Sequence, residues 1–164
     1  MKKTVYLSLG SNLGNRAENL RDAIRRLENL GDVIAVSSFY ETEPVEVTSL
    51  QPWFVNCAVR LESNLQPEPF LGDALKLEQA MGRSRTELKG PRTVDIDILF
   101  FGDAVIDTPV LTVPHPGIQQ RRFVLEPLAE IAPDLRHPVL KKTVSELLAD
   151  LPAQGGTVRK YQER

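Results

Sequence analysis

The sequence predicts an α+β fold, an antiparallel sheet with helices packed on it. Three observations carry that expectation. Strand-like and helix-periodic stretches alternate in the order β-α-β-β-α-β, with further elements after them. Two stretches, around Leu20–Leu30 and Phe70–Met81, space their apolar residues at helical intervals. At 164 residues, with 41% hydrophobic and 26% charged residues, the chain suits one domain spanning residues 1–164. A chain of this size buries roughly 70% of its unfolded surface and needs no disulfide staples. The order is that of the split βαβ, or ferredoxin-like, arrangement with extra C-terminal elements. Such a fold names no function by itself.

Thr4 to Leu9 alternates and is rich in β-formers, so it reads as the first strand. Ser11 to Gly14 is a loop. Asn15 and Glu18 have the spacing of a capping box, and Leu20, Ala23, Ile24, Leu27 and Leu30 continue as a helix, with Gly31 placed to end it. Val33 to Tyr40 reads as one strand, and Trp53 to Leu61 as a third, antiparallel to it. Pro67 and Pro69 open the second helix, with Phe70, Leu71, Ala74, Leu75 and Met81 on one side. Arg83 to Thr93 has no apolar period and holds Gly90-Pro91, so it is a loop. Val94 to Phe101 is the clearest strand, and Gly102-Asp103 turns the chain back toward Ala104 to Ile106. Phe123 to Ile131 and Thr143 to Leu148 read as shorter helices, and Thr157 to Tyr161 as a last strand.

Composition removes several function classes. The net charge is −2, which argues against a surface that coats nucleic acid. The single cysteine, Cys57, cannot form an intramolecular disulfide or a cysteine-based zinc site, and a reducing compartment fits. The basic start has an apolar part too short for a signal peptide, and no run approaches the ~18 apolar residues of a membrane span. The expectation is a cytoplasmic protein without membrane or nucleic-acid partners, a monomer with a dimer as the alternative. No G-x-x-x-x-G-K-[ST] sequence occurs, so a P-loop is excluded.

The chemistry concentrates around Val94-Asp95-Ile96-Asp97-Ile98. Alternation puts Asp95 and Asp97 on one strand face, with Cα atoms ~6.5–7 Å apart. Oxygen-only ligands of this kind suit Mg²⁺, which borrows further oxygens from phosphates; the competing reading is a solvated polar face. Just before them, Arg83, Arg85, Lys89 and Arg92 stand against Glu87 alone, a local charge of +3. Carboxylates for a metal beside arginines for phosphate are what a polyphosphate requires. Glu78 falls within the apolar stripe of its helix, either as a boundary residue or as an acceptor for a nucleotide or Arg83. His115 is held between Pro114 and Pro116, with Arg121-Arg122 nearby. Phe54 and Phe123 could stack a flat heterocycle beside the Asn56 amide, although core packing is the simpler role for both rings.

The run Gly90-Pro91-Arg92-Thr93-Val94-Asp95-Ile96-Asp97-Ile98-Leu99 closely resembles the signature of the 6-hydroxymethyl-7,8-dihydropterin pyrophosphokinase family of folate biosynthesis. Gly10–Gly14, Ser37–Thr42, Phe54–Asn56 and Leu111–His115 extend the resemblance over about residues 4 to 135. The resemblance implies an ATP-dependent diphosphotransferase of ferredoxin-like fold. Such an enzyme moves pyrophosphate from ATP to the hydroxymethyl group of the pterin and releases AMP. It implies Arg83, Arg92, Asp95 and Asp97 as the catalytic set, with two Mg²⁺ on Asp95 and Asp97. It assigns Glu78, Arg83, Arg85, Arg92, Ile98, Thr112, His115 and Arg121 to ATP. Thr42, Pro44, Val45, Phe54, Asn56, Asp95 and Phe123 would contact the pterin. The connections after Thr42 and after Met81 correspond to the family's mobile loops. The chain departs from the usual family pattern at Leu88-Lys89, where Arg-Trp is common, at Val110, where Arg is frequent, and at Pro116, where Tyr or Phe is frequent. The rival readings are a ferredoxin-like nucleotide-binding or RNA-binding module without catalysis.

Overall fold

β1 (Lys3–Ser11) is buried continuously from Val5 to Ser11, which marks it as a strand covered on both faces. The computed structural model describes residues 2–43, 52–82, 93–152 and 157–162 and explains that burial. α1 (Arg16–Leu27), β2 (Asp32–Val36), β3 (Tyr40–Thr42), β4 (Phe54–Ser63) and α2 (Pro67–Ala80) follow β1. β5 (Asp95–Phe101), β6 (Ile106–Asp107), β7 (Thr112–Val113), α3 (Arg122–Ile131), α4 (Val144–Ala149) and β8 (Val158–Lys160) complete the order. The main sheet runs β5-β1-β4-β3-β8, with β2 also on β4, and every pairing is antiparallel. The connections after Thr42 and Met81 fall largely outside the described residues. So do Pro44, Val45, Arg83, Arg85 and Arg92.

On one face Val5, Leu7 and Leu9 pack with Leu20, Ala23 and Leu27 of α1 and Phe70, Ala74 and Leu77 of α2. The Phe70 and Phe101 rings meet edge to face at 5.7 Å. On the other face Tyr6, Ala58 and Phe100 pack with Val124, Leu125 and Leu128 of α3 and Val144 and Leu147 of α4. The helices α3 and α4 therefore form a second helical layer. Local chemistry sets the helix ends. The Asn15 side chain accepts from Glu18 N–H at 3.2 Å, and Glu18 itself faces Arg21 and Arg25. Thr143 and Glu146 form a complete capping box at α4, satisfying two helix-end donors.

Four details differ from the sequence reading. The predicted strand 33–40 is two strands, β2 and β3, both on β4. At the break, Ser37 N–H donates to Ala58 carbonyl (2.9 Å) and its hydroxyl accepts from Ala58 N–H (2.8 Å), so the side chain continues the ladder. Gly31 does not terminate α1, which ends at Leu27; a Cβ there would lie 2.3 Å from the Glu62 carbonyl, so close approach to β4 requires glycine. β6 pairs with β7 rather than folding back on β5. The outer edge of β5 is already occupied: Ile96 N–H donates to Glu78 (2.7 Å), and Leu99 carbonyl accepts from His115 N–H (3.0 Å). Finally, Leu71 and Leu75 are only partly buried, and Leu77 and Glu78 take the inner positions of α2.

Candidate active site

The register of the sheet assembles the candidate residues. Asp95 pairs with Gly10, Gly10 with Asn56, Asn56 with Tyr40 and Tyr40 with Lys160. Asp97 pairs with Ser8, and Ser8 with Ala58. Directly opposed residues share a face, so two adjacent rows run across the sheet on the α3 side. A bulge where Leu99 is the extra residue of β5 lets Ile96, Ile98 and Phe101 all serve the α1/α2 core. Asp95 and Asp97 therefore share the opposite face and are half-buried. In the next row Thr42 opposes Phe54.

Gly10 leaves the gap that the amide fills. A Cβ on Gly10 would stand 2.6 Å from Asn56 Nδ2 and 3.3 Å from the Phe54 ring. The Thr42 hydroxyl donates to Asn56 Oδ1 at 2.6 Å in a buried setting. That bond fixes which way the amide points.

α3 closes over these rows. Tyr40 hydroxyl donates to Glu130 at 2.6 Å, and Ser38 N–H donates to the same carboxylate at 2.7 Å. Burial alone would raise the Glu130 carboxyl, but these hydrogen bonds outweigh it and hold the group below the usual range. These bonds anchor the last turn of α3 to β3 and to the segment just before it. Arg121, at the N-cap of that helix, lies against Gly117, where a Cβ would be 2.9 Å from its Nε. Its guanidinium stands 5.8 Å from the Phe123 ring centroid. Burial, helped by Arg121 and opposed by Asp95, lowers the His115 pKa to about 4, so the ring is neutral near pH 7. Gly117 N–H donates to His115 Nδ1 at 3.2 Å, which leaves the proton on Nε2 as a donor.

Asp95, Asp97, Asn56, Thr42 and Phe54 thus belong to one sheet face, and His115, Arg121 and Phe123 to the segment packed against it. Glu78 is 2% exposed and holds the β5 backbone. The Ile98 side chain is in the α1/α2 core, so only its main chain is available to a ligand. Thr112 is half-buried on β7. Sequence reasoning gave no role to Ser8, Tyr40, Gly117 or Glu130, nor to Gly10 as a point of close approach, for which a glycine inside a strand is the general signal. Two carboxylates form an oxygen donor set that suits Mg²⁺ completed by substrate oxygens. Among the described residues no group of three or more His, Cys, Asp or Glu could hold a metal ion. Among them, too, no helix is long and apolar enough to cross a membrane.

The family model for 7,8-dihydro-6-hydroxymethylpterin-pyrophosphokinase (HPPK) matches residues 6–133. The chain is 43% identical over 155 residues to the folic acid synthesis protein fol1 of Schizosaccharomyces pombe, covering 93% of this chain and 21% of that protein. It is 43% identical over 157 residues to the 2-amino-4-hydroxy-6-hydroxymethyldihydropteridine pyrophosphokinase of Pseudomonas aeruginosa, covering 94% of this chain and 96% of that one. The chain spans only 18–23% of the longer relatives it matches. A crystal structure of HPPK-DHPS in complex with substrates superposes with a TM-score of 0.73 at 16% identity, over 91% of this chain and 43% of that one. The likeness is one of fold.

Proposed function

The chain belongs to the 7,8-dihydro-6-hydroxymethylpterin-pyrophosphokinase family, and on that premise we propose that it transfers the β,γ-pyrophosphate of ATP to the hydroxymethyl group of 6-hydroxymethyl-7,8-dihydropterin and releases AMP. The observation that carries this reading is the shared sheet face. Asp95 and Asp97 lie on it beside the Thr42–Asn56 amide, with His115 and Arg121 packed nearby. The near full-length match to the Pseudomonas aeruginosa relative supports reading residues 1–164 as one such domain.

The residues divide into two groups. Asn56, oriented by Thr42, meets the polar edge of the pterin, and Phe54 and Phe123 supply flat apolar surface for its ring. Asp95 and Asp97 hold Mg²⁺, which when bound neutralises phosphate charge and polarises the transferred group. Arg121 contacts phosphate as a fixed cation, and neutral His115 offers Nε2–H to a phosphate oxygen. Thr112 and the main chain of Ile98 border the nucleotide. Glu78 acts on the site by holding the Ile96 backbone, and so the carboxylate strand, in place. Arg83, Arg85 and Arg92 complete the phosphate contacts in this reading, and Pro44 and Val45 the pterin contacts. In the reaction the substrate oxygen bonds to the β-phosphorus as its bond to the α,β-bridging oxygen breaks, and the hydroxyl proton is released. The protein's contribution is positioning and charge.

Incubation with ATP, Mg²⁺ and the pterin alcohol tests the proposal. AMP and the pterin pyrophosphate are the expected products. ADP, or no consumption of the pterin, overturns it.

A further inference from the structure

β3 is only three residues long, yet it presents Thr42, on which the orientation of Asn56 depends. What holds it lies on its other face. Glu41, between Tyr40 and Thr42, points away from the site, in register with Val55 of β4 and Arg159 of β8. Its carboxylate accepts from Arg159 Nη2 at 2.9 Å and Nε at 3.2 Å, and Arg16 Nη2 lies 3.2 Å away. The second Arg16 nitrogen donates to the Trp53 carbonyl at 2.7 Å. The Arg159 guanidinium stands 4.7 Å from the Trp53 ring centroid, and Arg16 is 5.7 Å from that of Tyr161. Glu43 N–H donates to the Thr157 carbonyl (3.0 Å), and Thr157 N–H donates to the Glu43 carboxylate (2.8 Å).

The neighbours of these groups give the cluster its meaning. Glu41 is adjacent to Thr42, Trp53 is adjacent to Phe54, and Thr42 and Phe54 oppose one another across the ladder. One ion cluster therefore holds the residue beside each of two candidate pterin contacts, from the reverse face of the sheet. It lies toward the β8 edge, whereas the carboxylates lie on β5 at the other edge. Exposed single ion pairs contribute little. Here the Glu41 side chain is 20% and Arg16 23% exposed, and one carboxylate is shared by two guanidinium groups.

We propose that Glu41, gripped by Arg16 and Arg159, is a positioning residue for pterin recognition, holding β3 between β4 and β8 so that Thr42 aims the Asn56 amide. The C-terminal strand then serves the substrate site without touching substrate. The inference rests on the reading of the site as a pterin pyrophosphokinase, and its test separates the two.

Glu41→Gln, Arg159→Ala and Arg159→Lys are compared with the parent protein in steady-state kinetics and in equilibrium titration with oxidised 6-hydroxymethylpterin in the presence of a non-hydrolysable ATP analogue. For Glu41→Gln and Arg159→Ala the expected result is a rise of about tenfold in pterin KM and Kd, with kcat and the KM for ATP within about twofold. Arg159→Lys, which keeps the charge, recovers part of the loss. Arg159 is 61% exposed, so its variants carry the test even where Glu41→Gln fails to fold. Unchanged pterin KM and Kd, or a parallel rise in the KM for ATP, overturns the inference. So does a pterin loss that appears only in variants melting near the assay temperature. A parent protein that binds pterin but forms no AMP overturns the proposed activity instead, and the binding arm still judges Glu41.

Discussion

Gly10 and the two aspartates show how much of the site rests on single positions. A methyl group at residue 10 would sit 2.6 Å from Asn56 Nδ2, so Gly10→Ala must displace an amide already held by Thr42. The expected result is a pterin KM raised by about tenfold or more, since a buried polar group loses its aim, with a smaller change for ATP. Kinetics with each substrate varied in turn checks this, and equal losses for both substrates would show a general distortion. Asp95→Asn and Asp97→Asn keep the volume of each side chain and remove one charge. Both are expected to lower kcat by about 100-fold or more through loss of a metal-holding charge. Near-parental turnover at low Mg²⁺ in both variants would remove them from the metal site. The Asp-x-Asp pair was legible from alternation alone. The gap at Gly10 was not, because it depends on which residue of β4 lies opposite.

Elements meet through a few buried polar contacts whose loss is measurable. Glu78 crosses from α2 to the outer edge of β5, where Ile96 N–H would otherwise face the interior without a ladder partner. Glu78→Ala is expected to destabilise the protein by about 1–3 kcal/mol, the cost of an unsatisfied buried donor. Urea unfolding reads the change, and a stability equal to the parent's would mean that another acceptor replaces the carboxylate. Thr143→Ala removes the capping box of α4, at a cost of about 1 kcal/mol. Because α4 supports the sheet from behind α3, kinetics should be unaffected; a change in either KM would contradict that separation. The helices themselves were readable from apolar spacing and Pro67. The division of the second strand into β2 and β3 was not, because Ser37 closes the break with a partner 21 residues away.

Across the whole molecule, half-buried His115 and buried His137 tie stability to pH. His115 titrates at about 4 in the folded protein against an ordinary 6.5, chiefly through burial. The unfolded chain therefore binds more protons than the folded one between these values. The stabilising contribution is fully present above pH 6.5 and is lost as pH falls toward 4. His137, also lowered by burial, acts in the same direction. In metal-free protein, unfolding free energy is expected to fall across this window, and His115→Gln to flatten part of the slope. An unchanged slope in the variant would show that His115 is not neutral in the fold. Local sequence was enough for the alternation of strands and helices, for the buried side of α1 and for the face that Asp95 and Asp97 share. Each of these follows from local period and from residue types within one segment. Long-range packing set the rest: α3 and α4 cover the second face of the sheet, Gly10 makes room for Asn56, and Arg16, Glu41 and Arg159 meet behind Thr42. Those facts depend on strand register and on contacts between residues up to 118 positions apart, which no local pattern encodes.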